Sequence, residues 1–173
     1  MPVDPARLTI IHHPEPVLHR RAQAVESVDD EVRAVAQRML ELMHAAPGVG
    51  LAAPQVGLPW RLFVANPTGE PGDDAVFVNP ELVDPTPETE SGEEGCLSLP
   101  DVRGPVTRPV GVTLKAVDEQ GDPIERRAEG FEARVWQHEF DHLDGVLIVD
   151  RMTPADRRAV RRAMRALDPG YAA

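Results

Sequence analysis

Cysteine, basic charge and long apolar runs are what this 173-residue chain has least of. Its one cysteine, Cys96, excludes an intrachain disulfide and fits a reducing compartment, which leaves the thiol to be catalytic, metal-binding or merely buried. No stretch approaches the roughly 18 apolar residues of a membrane span. The leading residues, MPVDPARLTIIHHPEP, show neither a basic region followed by an apolar run nor an Arg-rich, acid-poor transit pattern. The expectation is a cytoplasmic protein with no membrane segment. Lys and Arg number 18 against 29 Asp and Glu, a net charge of -11, which argues against a broad nucleic-acid-binding surface and against DNA in particular. The deficit is uneven. Residues 154 to 173 carry Arg157, Arg158, Arg161, Arg162 and Arg165 against Asp156 and Asp168, whereas the preceding residues hold 13 basic groups against 27 acidic ones. Such a tail suits RNA or an acidic partner; a helix face solvated by arginines is the plainer reading.

What is present suits one folded domain: 42% hydrophobic and 27% charged residues, with no repeat, low-complexity tract or linker across residues 1–173. After Asp29, Asp30 and Glu31, the residues Val32, Val35, Ala36, Met39 and Met43 recur at helical spacing, predicting an amphipathic helix over 28–44 that ends before Pro47 and Gly48. Short β-prone runs follow at 61–65, 75–79, 81–83 and 110–117, and a turn at 119–122 joins the last of these to 124–128 as a hairpin. Residues 131–143 read as a helix stopped near Gly145, and another helix runs from Pro154 to about Leu167. Strands grouped between helices predict an α+β fold with a mostly antiparallel sheet.

Residues 138–142, His-Glu-Phe-Asp-His, are where residue types and spacing specify a chemistry. Four residues apart on a helix, His138 and His142 can present imidazoles to one metal ion, with Glu139 beside it as a base. A catalytic site usually takes a third protein ligand and keeps a position for water. One family with this motif finds its third ligand in a histidine six residues after the second, where this chain has Ile148; another uses a later glutamate, and no Glu follows Glu139. The search therefore turns upstream to Cys96, His44, His12, His13, His19 or a carboxylate. Cys96, in Glu-Glu-Gly-Cys-Leu-Ser-Leu-Pro, stands in a tight loop where a thiolate can be held rigidly and leads these candidates. His12, His13 and His19 read as solvated loop histidines and His44 as a partner of helix C-terminal carbonyls. On spacing alone, two ordinary helix histidines and a buried thiol remain an alternative.

Three segments together bear on that choice: Gly-Val-Gly-Leu-Ala-Ala-Pro-Gln at 48–55, Glu-Gly-Cys-Leu-Ser at 94–98, and Gln-His-Glu-Phe-Asp-His-Leu-Asp-Gly at 137–145. In order and spacing they resemble the signature motifs of peptide deformylases, and the resemblance runs over nearly the whole chain. It implies a mostly antiparallel sheet packed around a central metal-binding helix, with an N-terminal and a C-terminal helix. It also implies a metal held by Cys96, His138 and His142, with Glu139 as general base and Gln55 and the Leu97 N–H stabilising an oxyanion. The metal implied is Fe2+ in the cell, with Zn2+, Ni2+ or Co2+ in purified protein. The substrate implied is the formyl-methionyl end of a nascent polypeptide, hydrolysed to formate and a free amine, and the Arg-rich last helix is a candidate contact with the ribosome.

The chemistry is coherent on its own terms: a metal lowers the pKa of bound water, and Glu139 can take its proton during attack on the formyl carbon and return it to the leaving amine. Phe131, Val135, His138 and His142 share one helix face, so Phe131 and Val135, completed by Val49 and Leu97, can house a methionine side chain; core packing is the alternative. Gly48 and Gly50 mark close backbone approach to substrate or metal loop, or a simple turn. Arg103 is a candidate for substrate or structural ion pairing, and Arg134 for peptide carbonyls or an acid. Asp141 is read as a partner of a ligand imidazole or as an exposed acid. Leu99 and Trp136 depart from the family's habit without touching a ligand. A metallopeptidase would need the missing downstream ligand, and a non-catalytic relative would be expected to lose Glu139, Cys96 or Gln55.

Overall fold

The computed structural model describes residues 2–172. Helix α1 spans Asp30–Ala45, capped by the Asp29 side chain, which accepts from the Val32 N–H at 3.0 Å. Its periodic residues Val32, Val35, Ala36, Met39 and Met43 are all buried. Six of the seven strands alternate little with helices and follow α1 in a block: β1 (Gly50–Ala52), β2 (Leu62–Ala65), β3 (Ala75–Val83), β4 (Thr89–Cys96), β5 (Leu99–Pro109) and β6 (Gly111–Val117), with β7 (Pro123–Glu129) closing the β6 hairpin. Every pairing between these strands is antiparallel. The architecture is α+β, as the grouping of elements predicts.

Five strands form one sheet in the order β1-β2-β3-β6-β7. Period-2 alternation divides the residues of β2 and β3 between two cores. Leu62, Val64, Val76 and Val78 pack with α1, and Phe63, Ala65 and Phe77 pack with Val135, Trp136 and Leu143 of helix α2 (Gly130–Leu143). The sheet is thus covered on both faces, which is why all four residues of β2 are buried. The runs at 75–79 and 81–83 are one strand: a register irregularity between Val78 and Glu81 bends it. There Asn79 adopts a left-handed backbone and its side chain bonds both the N–H and the C=O of Val25 at 2.8 Å, tying the leading segment to the sheet.

β4 and β5 form a separate two-stranded ribbon, the longest hairpin in the fold, and sequence patterning misses it. Residues 89–96 are rich in Glu and Gly, and β5 holds three prolines, compositions that argue against strands. A ribbon with open edges tolerates proline because fewer ladder N–H groups are needed than in a central strand. β1 escapes notice for a related reason: it is three residues long inside a Gly/Ala segment.

The C-terminal segment is three short helices, α3 (Ile148–Arg151), α4 (Pro154–Ala159) and α5 (Arg161–Leu167), where periodicity predicts one helix from Pro154. The break falls at Val160, whose ψ is near 1°. Bending there lets both Val160 and Met164 reach a third core with Leu18, Leu99, Val102 and Val106, while Arg158, Arg162 and Arg165 stay exposed. After α2, Gly145 has φ +74°, and a Cβ on it would lie 2.7 Å from the backbone of His19. Both the left-handed turn and the close approach of the leading segment therefore call for glycine.

Candidate metal centre and active site

Helix α2 brings His138 and His142 one turn apart, and the tight turn between β4 and β5 delivers Cys96 to the same point. One nitrogen from each ring and the Cys96 Sγ lie within 4.8 Å of one another, so the three form a metal-binding cluster. The Cys96 Sγ is 3.4 Å from His142 Nε2. Ligands at about 2.3 Å (S) and 2.0–2.1 Å (N) from a tetrahedral ion would be roughly 3.5 Å apart. The donor set therefore fits a metal of the zinc or iron kind, and three protein ligands leave a position for water or substrate.

Glu94 orients the cluster. It lies two residues before Cys96 on β4, and its Oε1 pairs with His138 Nδ1 at 2.9 Å, which leaves the Nε2 of that ring for an ion. Arg108 of β5 grips Glu94 through Nε and Nη2 at 2.7 and 2.9 Å and donates through Nη1 to Asp141 at 2.9 Å. Arg134 adds a 2.7 Å bond to Glu94 and others to the carbonyls of Val106 and Glu90. Burial alone would raise the Glu94 carboxyl, but the bonds to His138 and Arg108 outweigh it and bring it down to about 2. Burial also favours neutral His138, yet Cys96, Glu94 and Glu139 prevail and raise it well above the usual histidine range. His142 is pushed well below that range, first by burial and then by His138 and Arg108.

Glu139 is 4% exposed, with Oε1 4.0 Å from His138 Nε2 and Oε2 lacking any hydrogen-bond partner. Burial is the main reason its carboxyl is pushed up to about 7, a value suited to exchanging protons near neutral pH. Gly50 makes room for it: a Cβ there would lie 2.5 Å from Glu139 Oε1. The close approach expected of Gly50 is thus to the glutamate as well as to the cleft. Gln55, in the turn after β1, is 1% exposed; its Oε1 accepts from the Ala52 N–H, and its Nε2 donates to Ser98 Oγ at 3.3 Å and Cys96 Sγ at 3.5 Å.

These groups open on a cleft of about 310 Å³ that Leu97, Val49, Gly50, Phe131, Val135 and Arg103 also line. Val49 and Phe131 are the large hydrophobics most exposed among the described residues, at 38% and 57%. Phe131 therefore stands at the cleft and not in the core, while Val135 serves both. Arg103 is exposed, 3.8 Å from Glu93, and its guanidinium lies over Gly95.

Three readings of the sequence need correcting, and a fourth is narrowed. Asp141 is buried but meets neither solvent nor an imidazole; it binds Arg108 and Arg151. His44 pairs with Asp74 at 2.8 Å in place of carbonyls at the helix end. His13 is buried, unlike the exposed His12 and His19. Of the options weighed for Arg134, it is the acid, Glu94, that it meets. Glu94 and Arg108 themselves were missed, although Glu94 lies inside the Glu-Gly-Cys-Leu-Ser motif. Recognising β4 as a strand would have placed Glu94 on the face of Cys96.

A thiol, two imidazoles and an unpartnered buried carboxylate around one cleft define a metal-dependent hydrolase. Comparison with known proteins agrees. A family model described as polypeptide deformylase matches residues 7–158, and the chain belongs to that family. A peptide deformylase from Thermotoga maritima is 43% identical over 150 residues, 87% of this chain and 90% of that protein. One from Rhodopirellula baltica is 47% identical over 147 residues, 84% of this chain and 73% of the relative. A crystal structure of peptide deformylase from Plasmodium falciparum superposes with a TM-score of 0.90 at 35% identity, covering 94% of this chain and 96% of that one.

Proposed function

We propose that this protein removes the formyl group from the N-terminal formyl-methionine of nascent polypeptides, releasing formate. The observation that carries this reading is the buried Glu139 carboxylate, with a free oxygen, beside the Cys96–His138–His142 cluster in a family of deformylases. Cys96, His138 and His142 would hold the ion, Fe2+ in the cell, with Zn2+, Ni2+ or Co2+ able to replace it in purified protein. When bound, the ion supplies Lewis acidity, lowering the pKa of water and polarising the formyl oxygen.

Glu139 takes the proton of the attacking water through its unpartnered oxygen and passes it to the departing amine. The Gln55 Nε2 and the Leu97 N–H donate to the oxygen that gains charge; the 3.5 Å contact from Gln55 to sulfur is the weak bond a substrate oxygen would displace. Phe131, Val135 and Val49 receive the methionine side chain, Gly50 allows Glu139 and the substrate backbone to lie close, and Arg103 meets the peptide beyond the first residue. We take residues 1–173 as one catalytic domain working in the cytoplasm; among the described residues no helix is long and apolar enough to cross a membrane. The exposed arginines of α4 and α5 are a candidate ribosome contact, where such substrates emerge.

The test is formate release from a formyl-Met tripeptide by anaerobically prepared protein loaded with Fe2+ or Ni2+, with intact casein as a control. Formate production with casein left whole is the expected result. No formate from the metal-loaded protein would refute the assignment.

A further inference from the structure

A second pair of histidines lies outside the cleft. His13 Nδ1 and His19 Nε2 stand 2.9 Å apart, with ring centroids 5.0 Å apart and planes at 70°. His138 and His142 in the metal cluster have nearly the same relation, 5.1 Å and 67°. Two nitrogens each about 2.0–2.1 Å from one ion would be roughly 2.9 Å apart at a right angle and roughly 3.3 Å apart in a tetrahedral shell. The spacing thus suits neighbouring corners of a coordination shell as well as a hydrogen bond.

A carboxylate stands behind one ring of each pair, hydrogen-bonded in the first and at ion-pair distance in the second. Glu94 faces Nδ1 of His138 and leaves Nε2 for an ion; Asp168 stands 3.4 Å from Nε2 of His13 and leaves Nδ1. A carboxylate behind a ligand imidazole sets its tautomer and strengthens it as a donor. That His13 Nε2 is buried and makes no hydrogen bond, and the nearest charge it faces is Asp168, with Asp150 acting from further off. His13 is 8% exposed and His19 is exposed, giving a rigid inner ligand and an accessible outer one. Burial, and then the neighbouring His19 ring, lowers the pKa of His13, which favours the neutral form that binds metals.

We propose that His13 and His19 form a second site for a divalent ion that favours imidazole, with Zn2+ as its representative, water completing the shell and Asp168 positioning His13. The site joins three separate parts of the chain. The His13 N–H donates to the Ser98 carbonyl at 3.0 Å, and Ser98 lies in the turn that carries Cys96. Asp168 follows α5, and the backbone of His19 lies against Gly145 after α2. An ion held there staples the leading and trailing segments to the metal-bearing hairpin and stabilises the folded chain by mass action.

The experiment takes holoenzyme carrying one Ni2+ per chain and titrates it with Zn2+ by calorimetry, with retained Ni2+ measured afterwards. One further equivalent is expected to bind with Ni2+ retained. His19→Asn, at an exposed position, should weaken that event at least tenfold, and Asp168→Asn about tenfold, with formate release per bound Ni2+ unchanged in His19→Asn. Absence of a second equivalent, or equal Zn2+ affinity in the wild type and His19→Asn, would overturn the proposal.

Discussion

Alternate residues of β2 and β3 divide between two apolar cores, whereas the β4–β5 ribbon turns a buried Glu94 and Arg108 toward α2 and ties them to Asp141, Arg134 and His138. The sheet is held by apolar burial, worth roughly 1.5–3 kcal/mol for each fully buried large side chain. The ribbon gains much less from its ion pairs, because desolvating the charges costs about as much as their attraction returns. What the charged network supplies is direction: it fixes which nitrogen of His138 faces the cleft and where Cys96 stands. Stability and orientation are thus assigned to different parts of the molecule, and α2 connects them with one face on the sheet and the other on the ribbon.

That division makes the two regions respond differently to substitution. Phe77→Ala, which removes a fully buried ring packed on Phe63 and Trp136, should cost about 4 kcal/mol in chemical denaturation. The metal affinity of the folded fraction should not change; loss of affinity in step with stability would show that the sheet orients the site directly. Arg108→Ala comes next. It leaves Glu94 and Asp141 buried with one guanidinium fewer, and a loss of about 3 kcal/mol is expected, accompanied by weaker metal binding. A neutral effect on both would mean that water replaces the guanidinium freely. The smallest effect is that of Glu94→Gln, which keeps the shape of the side chain and removes its charge. Metal competition should show affinity lowered about ten- to a hundredfold, with stability falling by less than in Arg108→Ala because Arg108 keeps Asp141 as a partner.

The same contrast explains what the sequence discloses. Helix α1, the β6–β7 hairpin and α2 carry their periodicity in apolar residues, because those residues are buried for being apolar. The ribbon carries it only in part of β5, where Leu99, Val102 and Val106 are buried in the third core; Glu94 and Arg108 occupy inward positions through pairing with each other, and neither alternation nor β-propensity registers a buried charge that has a partner. The site was legible where geometry is local. His138, Glu139 and His142 lie on one helix, and the structure places Cys96, Gln55, Leu97, Val49 and Gly50 around the same cleft from across the fold. Asp141 was misread because its partners, Arg108 and Arg151, stand on other elements. The reason for Gly50 was half visible: the sequence indicates a need for space, and only the fold shows that Glu139 occupies it.

In the proposed reaction, metal binding and proton transfer belong to separate groups, the cluster of Cys96, His138 and His142 on one side and Glu139 on the other. The most direct measurement compares bound metal and formate release in wild type and Glu139→Ala, both loaded anaerobically with Ni2+. The expected result is one ion per chain in each, with turnover in the variant lower by about a hundred- to ten-thousandfold. Turnover near that of the wild type, or loss of the ion along with activity, would contradict it.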